Sequence, residues 1–503
     1  MATAQQRRAA PWALHALPHA SLNATFRGRK LGPVAAWRGI QYARVGERFA
    51  EAEGVDDWGG EVVECAEYGP RCPQNAVDVG YLLRLPEKGV GLDEHEDEFA
   101  CLNLDVTGPA EVGEHERGRL PVMVWIHGGS QVVTFGSGAS GVCDAYTIVK
   151  DSCGGDTGSG LQRRPIIVVS VQYRLNMFAF GDGKGSRNLA LKDQRLAIEW
   201  VRKHIGGFGG DPNNITVAGE SAGAVYAHAQ VVTGAPVRQA ILSSGSLGLS
   251  PPQPLERGET LIKAIEEKLG AALKDVPVEA LLKAQAELNI NSLWLQEEAD
   301  LEGWDTETGN TQALLIGDVE YESIIWRRGV EAMSAGAIVD AFDRAPELRG
   351  LYNISHSGAL DFIHDVRFGL PIRQLSEVWR SAGKAVFTYV IDEANPWQTS
   401  SRAHHAIDLL FLFGGVDMSF SATAAAVGSR LREKWICFVN GEAPWARDET
   451  FAFGPFGECR GLSAGGVAAR RRVAHMKALS DMAAAKIHSV FLAVGAGRVS
   501  LWN

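Results

Sequence analysis

Long apolar runs are missing from this chain of 503 residues, although 46% of its residues are hydrophobic. No run approaches the roughly 20 apolar residues that a membrane-spanning helix needs. Residues 1–20 contain only a broken apolar stretch and do not resemble a signal peptide. We therefore predict a protein without a membrane span that resides in the cytoplasm.

Basic residues and cysteines are also scarce. The chain has 49 lysines and arginines against 60 acidic residues, which gives a net charge of -11. An acidic chain is a poor partner for nucleic acid, so we expect no nucleic-acid ligand. The seven cysteines show no zinc-type spacing, and nothing in the sequence indicates a metal or another cofactor. Their odd number favours a reducing compartment.

Linkers, repeats and low-complexity stretches are absent, so we predict one α/β domain over residues 19–503 after a tail of residues 1–18. Residues 23–49 alternate polar and apolar positions, which predicts antiparallel strands and a hairpin. Continuous apolar runs follow at 121–126 and 165–172, and the last such run is at 384–391. Because helical patterns separate these runs, we predict a large, mostly parallel central sheet flanked by helices.

One short segment carries the strongest chemical signal. A β-branched run is followed by Gly219-Glu220-Ser221-Ala222-Gly223 and then by small residues of helical composition. The pattern G-x-S-x-G between a strand and a helix is typical of a nucleophile elbow, a sharp turn that exposes the serine hydroxyl. The glycines are needed where strand and helix approach closely.

A nucleophilic serine needs a histidine base and an acid that orients it, in the chain order serine, acid, histidine. The acid candidates Asp318, Glu320 and Glu322 follow a predicted strand that ends at Ile316. The pair His404-His405 precedes an apolar run that could anchor its loop, which favours it as the base. The other histidines beyond the elbow helix are His356, His364, His475 and His488.

Two further features belong to the same predicted edge of the sheet. The strand ending at Ile126 leads into Gly128, Gly129 and Ser130, whose backbone N–H groups can form an oxyanion hole with that of Ala222. Glu220 is expected to support the serine structurally or electrostatically. Four tryptophans suggest an aromatic wall around a bulky substrate, with core packing as the alternative: Trp294, Trp304, Trp326 and Trp397.

Several motifs resemble those of the type-B carboxylesterases, a family that includes cholinesterases and certain fungal lipases. They are Trp37–Ala43, Cys101–Val106 and the elbow Gly219–Gly223. The resemblance covers about residues 22–480 and implies an α/β-hydrolase fold with helical insertions. It also implies hydrolysis of small-molecule carboxylic esters through an acyl-enzyme, without a cofactor.

The resemblance selects among the candidates. The family's acid lies five residues after a strand-end glycine, and Glu322 stands at that distance from Gly317. The family's histidine lies three residues before an acid and eight before a phenylalanine, which His405 satisfies with Asp408 and Phe413. The implied oxyanion donors are Gly129, Ser130 and Ala222.

The chain also departs from the family pattern. Ser130 replaces the third glycine of the family's glycine run, and the intervals between the three catalytic positions are short, which predicts a trimmed helical cap. Cys72 and Cys101 occupy positions that secreted members bridge with a disulfide. Two other functions remain alternatives: an acyltransferase or lactone-forming enzyme on the same machinery, and a non-catalytic cholinesterase-like binding module.

Overall fold

A central β-sheet of 13 strands runs through the protein, seen here in a computed structural model that describes residues 12–86, 94–113, 119–154 and 163–500. A separate pair of short strands, β4 and β5 below, makes a small second sheet. In chain order the strands are β1 (Ala13–His19), β2 (Ala24–Leu31), β3 (Val34–Gln41), β4 (Ala43–Arg44), β5 (Glu53–Gly54), β6 (Val62–Glu64), β7 (Asn103–Pro109), β8 (Leu120–Ile126), β9 (Ile167–Val171), β10 (Gly210–Glu220), β11 (Gln239–Ser243), β12 (Ala313–Val319), β13 (Ala385–Ile391), β14 (Thr450–Phe453) and β15 (Cys459–Leu462).

The middle of the sheet is parallel. Across the sheet the strands lie in the order β1-β2-β3-β7-β9-β8-β10-β11-β12-β13-β14-β15, and β6 pairs with β2. All neighbours from β9 to β14 pair in parallel, with Val124 of β8 beside Val217 of β10 and Val169 of β9. Parallel sheets are buried on both faces, which explains their continuous apolar sequences.

The two faces of the sheet pack into separate hydrophobic cores. Val122, Val124 and Ile126 point into one core, whereas Met123 and Trp125 point into the other. Helices cover both faces. They are α1 (Val79–Leu82), α2 (Tyr146–Ser152), α3 (Asn176–Phe180), α4 (Leu189–His204), α5 (Ala222–Val232), α6 (Leu255–Leu269), α7 (Val278–Glu287), α8 (Arg327–Glu331), α9 (Ala335–Phe342), α10 (His356–His364), α11 (Leu370–Ser381), α12 (Ile407–Phe413), α13 (Ala422–Val439), α14 (Ala464–Ala468), α15 (Val473–Ser480) and α16 (Ala484–Val494).

The N-terminal strands confirm the expected antiparallel hairpin but correct the predicted tail. Residues 13–18 belong to β1, which pairs along its whole length with β2. His19 ends this strand, and its Nε2 lies 3.0 Å from the backbone oxygen of His204 in α4. The prediction is wrong for these residues because β1 is an exposed edge strand whose residues alternate weakly in polarity. Residues 1–11 of the predicted tail lie outside the described residues.

A third hydrophobic core lies away from the sheet, among α8 to α11 and α16. A π-helical turn, Asp365–Gly369, joins α10 to α11 within this helical layer. The sequence predicted the layer as insertions but missed β14 and β15, which follow the strand taken as the last. No helix in the described residues is long and apolar enough to cross a membrane.

Candidate active site

Ser221 stands on the sharp turn between β10 and α5. Its backbone has φ 55° and ψ −123°, a strained conformation for a residue with a side chain, and its N–H donates to the carbonyl of Ser243 at 3.0 Å. A Cβ on Gly223 would overlap the carbonyl of Ile126, and one on Gly219 would overlap the backbone of Gly223. Close approach of strand and helix therefore requires both glycines, as the elbow motif predicts.

His405 lies within hydrogen-bond distance of the serine. It follows β13 on a loop that is tied to the end of β12, because its N–H donates to the carbonyl of Tyr321 at 3.2 Å. The Nε2 atom is 2.8 Å from the Ser221 hydroxyl oxygen, and Nδ1 is 2.5 Å from Oε2 of Glu322. A proton on Nδ1 donates to Glu322, which leaves Nε2 free to accept the serine proton.

Glu322 is the acid that reaches this histidine, and its side chain is completely buried. It begins a short 3₁₀ turn after β12, and its Oε1 accepts a hydrogen bond of 2.9 Å from the N–H of Val319. The other acid candidates have different partners. Asp318 pairs with Arg471 at 2.9 Å, and Glu320 pairs with Arg402 at 2.7 Å on the surface.

The other histidines do not reach the serine. His404 hydrogen-bonds Asn395 at 2.9 Å, and burial lowers its pKa to about 4. His364 packs behind Glu322, where its Nδ1 accepts a 3.4 Å hydrogen bond from the backbone N–H of that residue. The structure thus brings together Ser221, Glu322 and His405.

Two more buried carboxyl groups surround the imidazole. Oε1 of Glu220 is 3.3 Å from Nε2 of His405. Asp408 accepts a 2.6 Å hydrogen bond from Ser243, whose own hydroxyl accepts one from Tyr389 at 2.7 Å. Glu220 therefore lies beside Nε2 of His405, whereas Asp408 is held by the hydroxyl of Ser243.

These buried carboxyl groups and the imidazole shift one another's pKa values. Burial, together with the charges of Asp408 and Glu322, holds the pKa of Glu220 well above its usual range, although His405 opposes this. Burial likewise raises the pKa of Asp408 to about 6. Burial disfavours the imidazolium of His405, but Glu220 and Glu322 outweigh it and raise the pKa of His405 to about 9. Because the groups interact strongly, they titrate as one cluster.

The glycine-rich loop after β8 lies against the elbow. A Cβ on Gly128 would meet the backbone oxygen of Glu220 at 2.7 Å, and Gly128 lines neither of the cavities described below. Within the described chain, the backbone N–H groups of Gly129, Ser130 and Ala222 donate to no protein acceptor. These three residues line the cavities beside Ser221, so their N–H groups are free to bind a developing oxyanion.

Two cavities meet at Ser221. The first, of about 560 Å³ and called the His405 cavity, is lined by Leu82, Arg84, Gly129, Ser130, Phe135, Glu220, Ser221, Ile324, Ile325, His404, His405, Ala406, Val499 and Ser500. The second, of about 860 Å³ and called the Arg367 cavity, is lined by Ser130, Gln131, Ser221, Ala222, Val225, Leu249, Ser250, Pro251, Gln253, Arg257, Ser292, Leu293, Trp294, Ile325, Trp326, Arg367, His488, Phe491, Leu492, Gly495, Ala496, Gly497 and Val499.

Of the four tryptophans predicted to form an aromatic wall, two line a cavity beside Ser221 and two do not. Trp294 and Trp326 line the Arg367 cavity, and the Trp326 ring N–H also donates to the carbonyl of Gly495 at 3.0 Å. Trp304 and Trp397 line neither cavity, so the aromatic-wall prediction is wrong for them. Trp304 packs near His228, and Trp397 packs on Phe420, with ring centroids 6.4 and 5.4 Å apart.

Several residues of the site are not predicted by the sequence, because their positions depend on distant parts of the chain. Phe368, in the π-helical turn, packs its ring edge-on against His405 with centroids 5.7 Å apart. Arg367 from the same turn lines the second cavity, as do residues of α16 and Val499. The sequence of the turn Asp365–Gly369 resembles an ordinary helix, so it does not predict that its residues line the site.

The cysteines and potential metal ligands complete the description. All seven cysteines are free thiols, so the structure lacks the implied bridge between Cys72 and Cys101. A hydrogen bond to Cys72, together with burial, raises the pKa of Cys101 well above its ordinary value. In the parts of the chain that the structure describes, no group of three or more histidines, cysteines or carboxylates could hold a metal ion.

Comparisons with known proteins identify the family of this chain. The model of the Carboxylesterase family matches residues 20–325. Lipase 3 of Yarrowia lipolytica is 29% identical over 455 residues, which cover 84% of this chain and 89% of the lipase. A probable N-octanoylanthranilate hydrolase of Rhodococcus erythropolis is 32% identical over 451 residues, or 82% of this chain and 91% of that protein.

Among solved structures, a thermophilic pNB esterase superposes with a TM-score of 0.71 at 24% identity, covering 91% of this chain and 99% of the esterase. This likeness shows a shared α/β-hydrolase fold. The family model matches more than half of the chain, so the chain belongs to the carboxylesterase family and is a hydrolase of carboxylic esters.

Proposed function

We propose that Ser221 is the nucleophile, His405 the general base and Glu322 the acid that orients the base. The observation that carries this proposal is the continuous hydrogen-bonded chain from the serine hydroxyl through both imidazole nitrogens to a buried carboxylate. Nε2 of His405 takes the hydroxyl proton as the serine oxygen attacks the ester carbonyl. Glu322 holds the imidazole in the required tautomer and stabilises the imidazolium that forms.

The attack creates a tetrahedral intermediate with a negatively charged oxygen. We assign its stabilisation to the backbone N–H groups of Gly129, Ser130 and Ala222, which have no protein acceptors in the described chain. Ser130 has φ 55°, a strained value for a residue with a side chain. Such preorganised donors need no rearrangement during the reaction.

The two cavities then separate the two halves of the ester. His405 passes its proton to the departing alcohol oxygen, so the alcohol group lies in the His405 cavity, which contains the imidazole. The acyl group remains on Ser221 and extends into the Arg367 cavity on the other side of the serine. Water activated by His405 then attacks the acyl-enzyme and releases the carboxylic acid.

The walls of the cavities indicate the kind of ester. Leu82, Phe135, Ile324 and Ile325 give the His405 cavity an apolar surface, which suits a hydrophobic alcohol group. The presence of one cavity on each side of Ser221 favours a small-molecule ester with its two halves in the two cavities.

Intact-mass analysis after treatment with a fluorophosphonate probe tests the proposed roles. We expect one adduct on the wild-type protein and none on Ser221→Ala. Ser244→Ala is the matched control, because Ser244 is also a buried serine at a strained turn, with φ 51°, but lines neither cavity. An adduct on folded Ser221→Ala, or none on the wild type, would overturn the assignment.

We further propose that the protein works in a reducing compartment, as in the cytoplasm. Seven unbridged thiols, six of them buried, support this. Alkylation of protein from its native source, denatured without reductant, should modify all seven cysteines. A mass short by two alkyl groups would indicate a disulfide and contradict the proposal.

A further inference from the structure

The Arg367 cavity has an unusual charge for this acidic protein. Its walls contain Arg257, Arg367 and His488 but no aspartate or glutamate. The chain as a whole carries a net charge of -11. A cavity that adjoins the nucleophile is therefore basic, whereas the protein around it is acidic.

The side chain of Arg367 lines this cavity and has no carboxylate partner among the described residues. Its Nε atom is buried and makes no hydrogen bond, and one of its terminal nitrogens makes only a long one, 3.4 Å to the carbonyl of Gly248. The guanidinium carbon lies 3.5 Å from the centroid of the Phe491 ring, which fixes the plane of the group. A buried N–H donor that has no acceptor is costly unless a ligand pairs with it.

The charge of Arg367 persists at neutral pH. Burial and the neighbouring charge of Arg257 lower the pKa of Arg367 to about 10, which still leaves it protonated. Arg257 lies at the exposed mouth of the cavity, stacked 4.4 Å above the ring centroid of Trp294. His488 is also exposed at the mouth. Partial desolvation and the charges of the two arginines lower the pKa of His488, so its imidazole is neutral at neutral pH.

The backbone that carries Arg367 also contacts the reacting histidine. The π-helical turn Asp365–Gly369 packs Phe368 against His405 and turns Arg367 into the cavity. π-helical turns are rare and frequently occur at functional sites. Here the turn fixes a positive charge at a set position relative to the nucleophile.

We infer that Arg367 binds an anionic group at the far end of the acyl chain, so that the enzyme prefers esters of dicarboxylic or similarly charged acids. This inference rests on the proposed roles of Ser221 and His405, which place the acyl group in the Arg367 cavity. A planar carboxylate suits a guanidinium because two parallel N–H groups can bind its two oxygens. Water cleaves the ester bond, and the products are a dicarboxylic acid and the alcohol.

The test compares kcat/KM for two matched series of methyl esters. One series contains monomethyl esters of dicarboxylic acids from succinate to suberate, and the other contains methyl esters of monocarboxylic acids of the same chain length. We expect an optimal length at which the charged ester is preferred by about 10- to 100-fold, as for hydrogen bonds to charged groups. A carboxymethyl ester of a neutral acid places the charge on the alcohol instead, and we expect no preference for it.

Variants then identify the residue. Arg367→Gln should lower the ratio of kcat/KM for the charged ester to kcat/KM for the neutral ester of the same length by about 10-fold or more. Arg367→Lys should retain part of the preference. Arg373→Gln is the control, because Arg373 lies nearby on α11 but pairs at 3.2 Å with Glu377 outside the cavity.

Each outcome is decisive. Turnover of neutral esters with no charged preference at any length, or a preference for charge on the alcohol, overturns the inference and leaves the proposed function intact. A preference that survives in folded Arg367→Gln also overturns it. No turnover of any ester overturns the proposed function and this inference with it. If Arg367→Gln does not fold, the wild-type ester series still tests the inference. Adipate should then also be a stronger competitive inhibitor of the wild type than hexanoate.

Discussion

Replacing Glu220 by glutamine should shift the pH dependence of ester hydrolysis. The substitution keeps the shape of the side chain and removes its ability to carry a negative charge beside His405. Only the neutral imidazole can accept the serine proton, so kcat/KM rises as pH rises through the pKa of the cluster. Since the carboxyl groups raise the pKa of His405 to about 9, we expect the wild-type midpoint to lie above the ordinary histidine value.

The expected size of the shift follows from one distance. Oε1 of Glu220 lies 3.3 Å from Nε2 of His405, and two unit charges at that separation interact by about 5 kcal/mol at an effective dielectric constant of 20. The raised pKa of Glu220 means that the proton is shared between the two groups, so only part of this energy appears as a shift. A third of it already corresponds to slightly more than one pKa unit, because one unit is about 1.4 kcal/mol.

The measurement is a profile of kcat/KM against pH for one neutral ester, with wild type, Glu220→Gln and Glu320→Gln in parallel. We expect the acidic limb of Glu220→Gln to move to lower pH by at least about one unit. Glu320→Gln should match the wild type, because Glu320 is ion-paired with Arg402 away from the imidazole. An unmoved or raised midpoint in folded Glu220→Gln would refute the electrostatic account of this site.

Three other substitutions probe separate parts of the machinery. Glu322→Gln removes the charge that stabilises protonated His405, and steady-state kinetics should show kcat lower by about 1,000- to 10,000-fold, whereas a loss below tenfold would contradict its role. Gly129→Ala places a Cβ against the carbonyl of Val133, at a backbone φ of 118°, so the oxyanion loop must move. We expect kcat to fall by about 100- to 1,000-fold. A variant with the kcat of the wild type would contradict the role of this loop. Arg471→Leu leaves buried Asp392 with Arg470 alone and buried Asp318 with His364 alone. Urea denaturation should reveal a loss of about 1.5–3 kcal/mol in the free energy of unfolding, so an unchanged midpoint would count against the buried network.

The parts of the site that the sequence predicts are those with local constraints. The elbow needs glycines within two residues of Ser221, because strand and helix nearly touch there, and such spacing is visible in a single chain. The residues alone leave Asp318, Glu320 and Glu322 open as the acid and favour the pair His404-His405 as the base. The resemblance to the type-B carboxylesterases then selects Glu322 and His405 by their distances in the sequence from neighbouring family residues.

The parts that the sequence could not predict depend on contacts over long separations. Edge strand β1 alternates too weakly to be recognised, and it is ordered by pairing with β2 and by the contact of His19 with α4. The cavity walls are assembled from α16 and from a π-helical turn, whose residues read as ordinary helix. Nothing near Trp304 or Trp397 shows that they lie away from the cavities, whereas Trp294 and Trp326 line one of them.

The contribution of residues 484–500 to both cavities has a consequence for the order in which the enzyme is made. Ser500 is tied by its N–H to the carbonyl of Ile325 at 3.0 Å, and Val499 lines both cavities. A ribosome releases the elbow, the oxyanion loop and the triad well before it releases these residues. Both cavities are therefore complete only once residues 484–500 pack against the segments that carry Ser221 and Ile325.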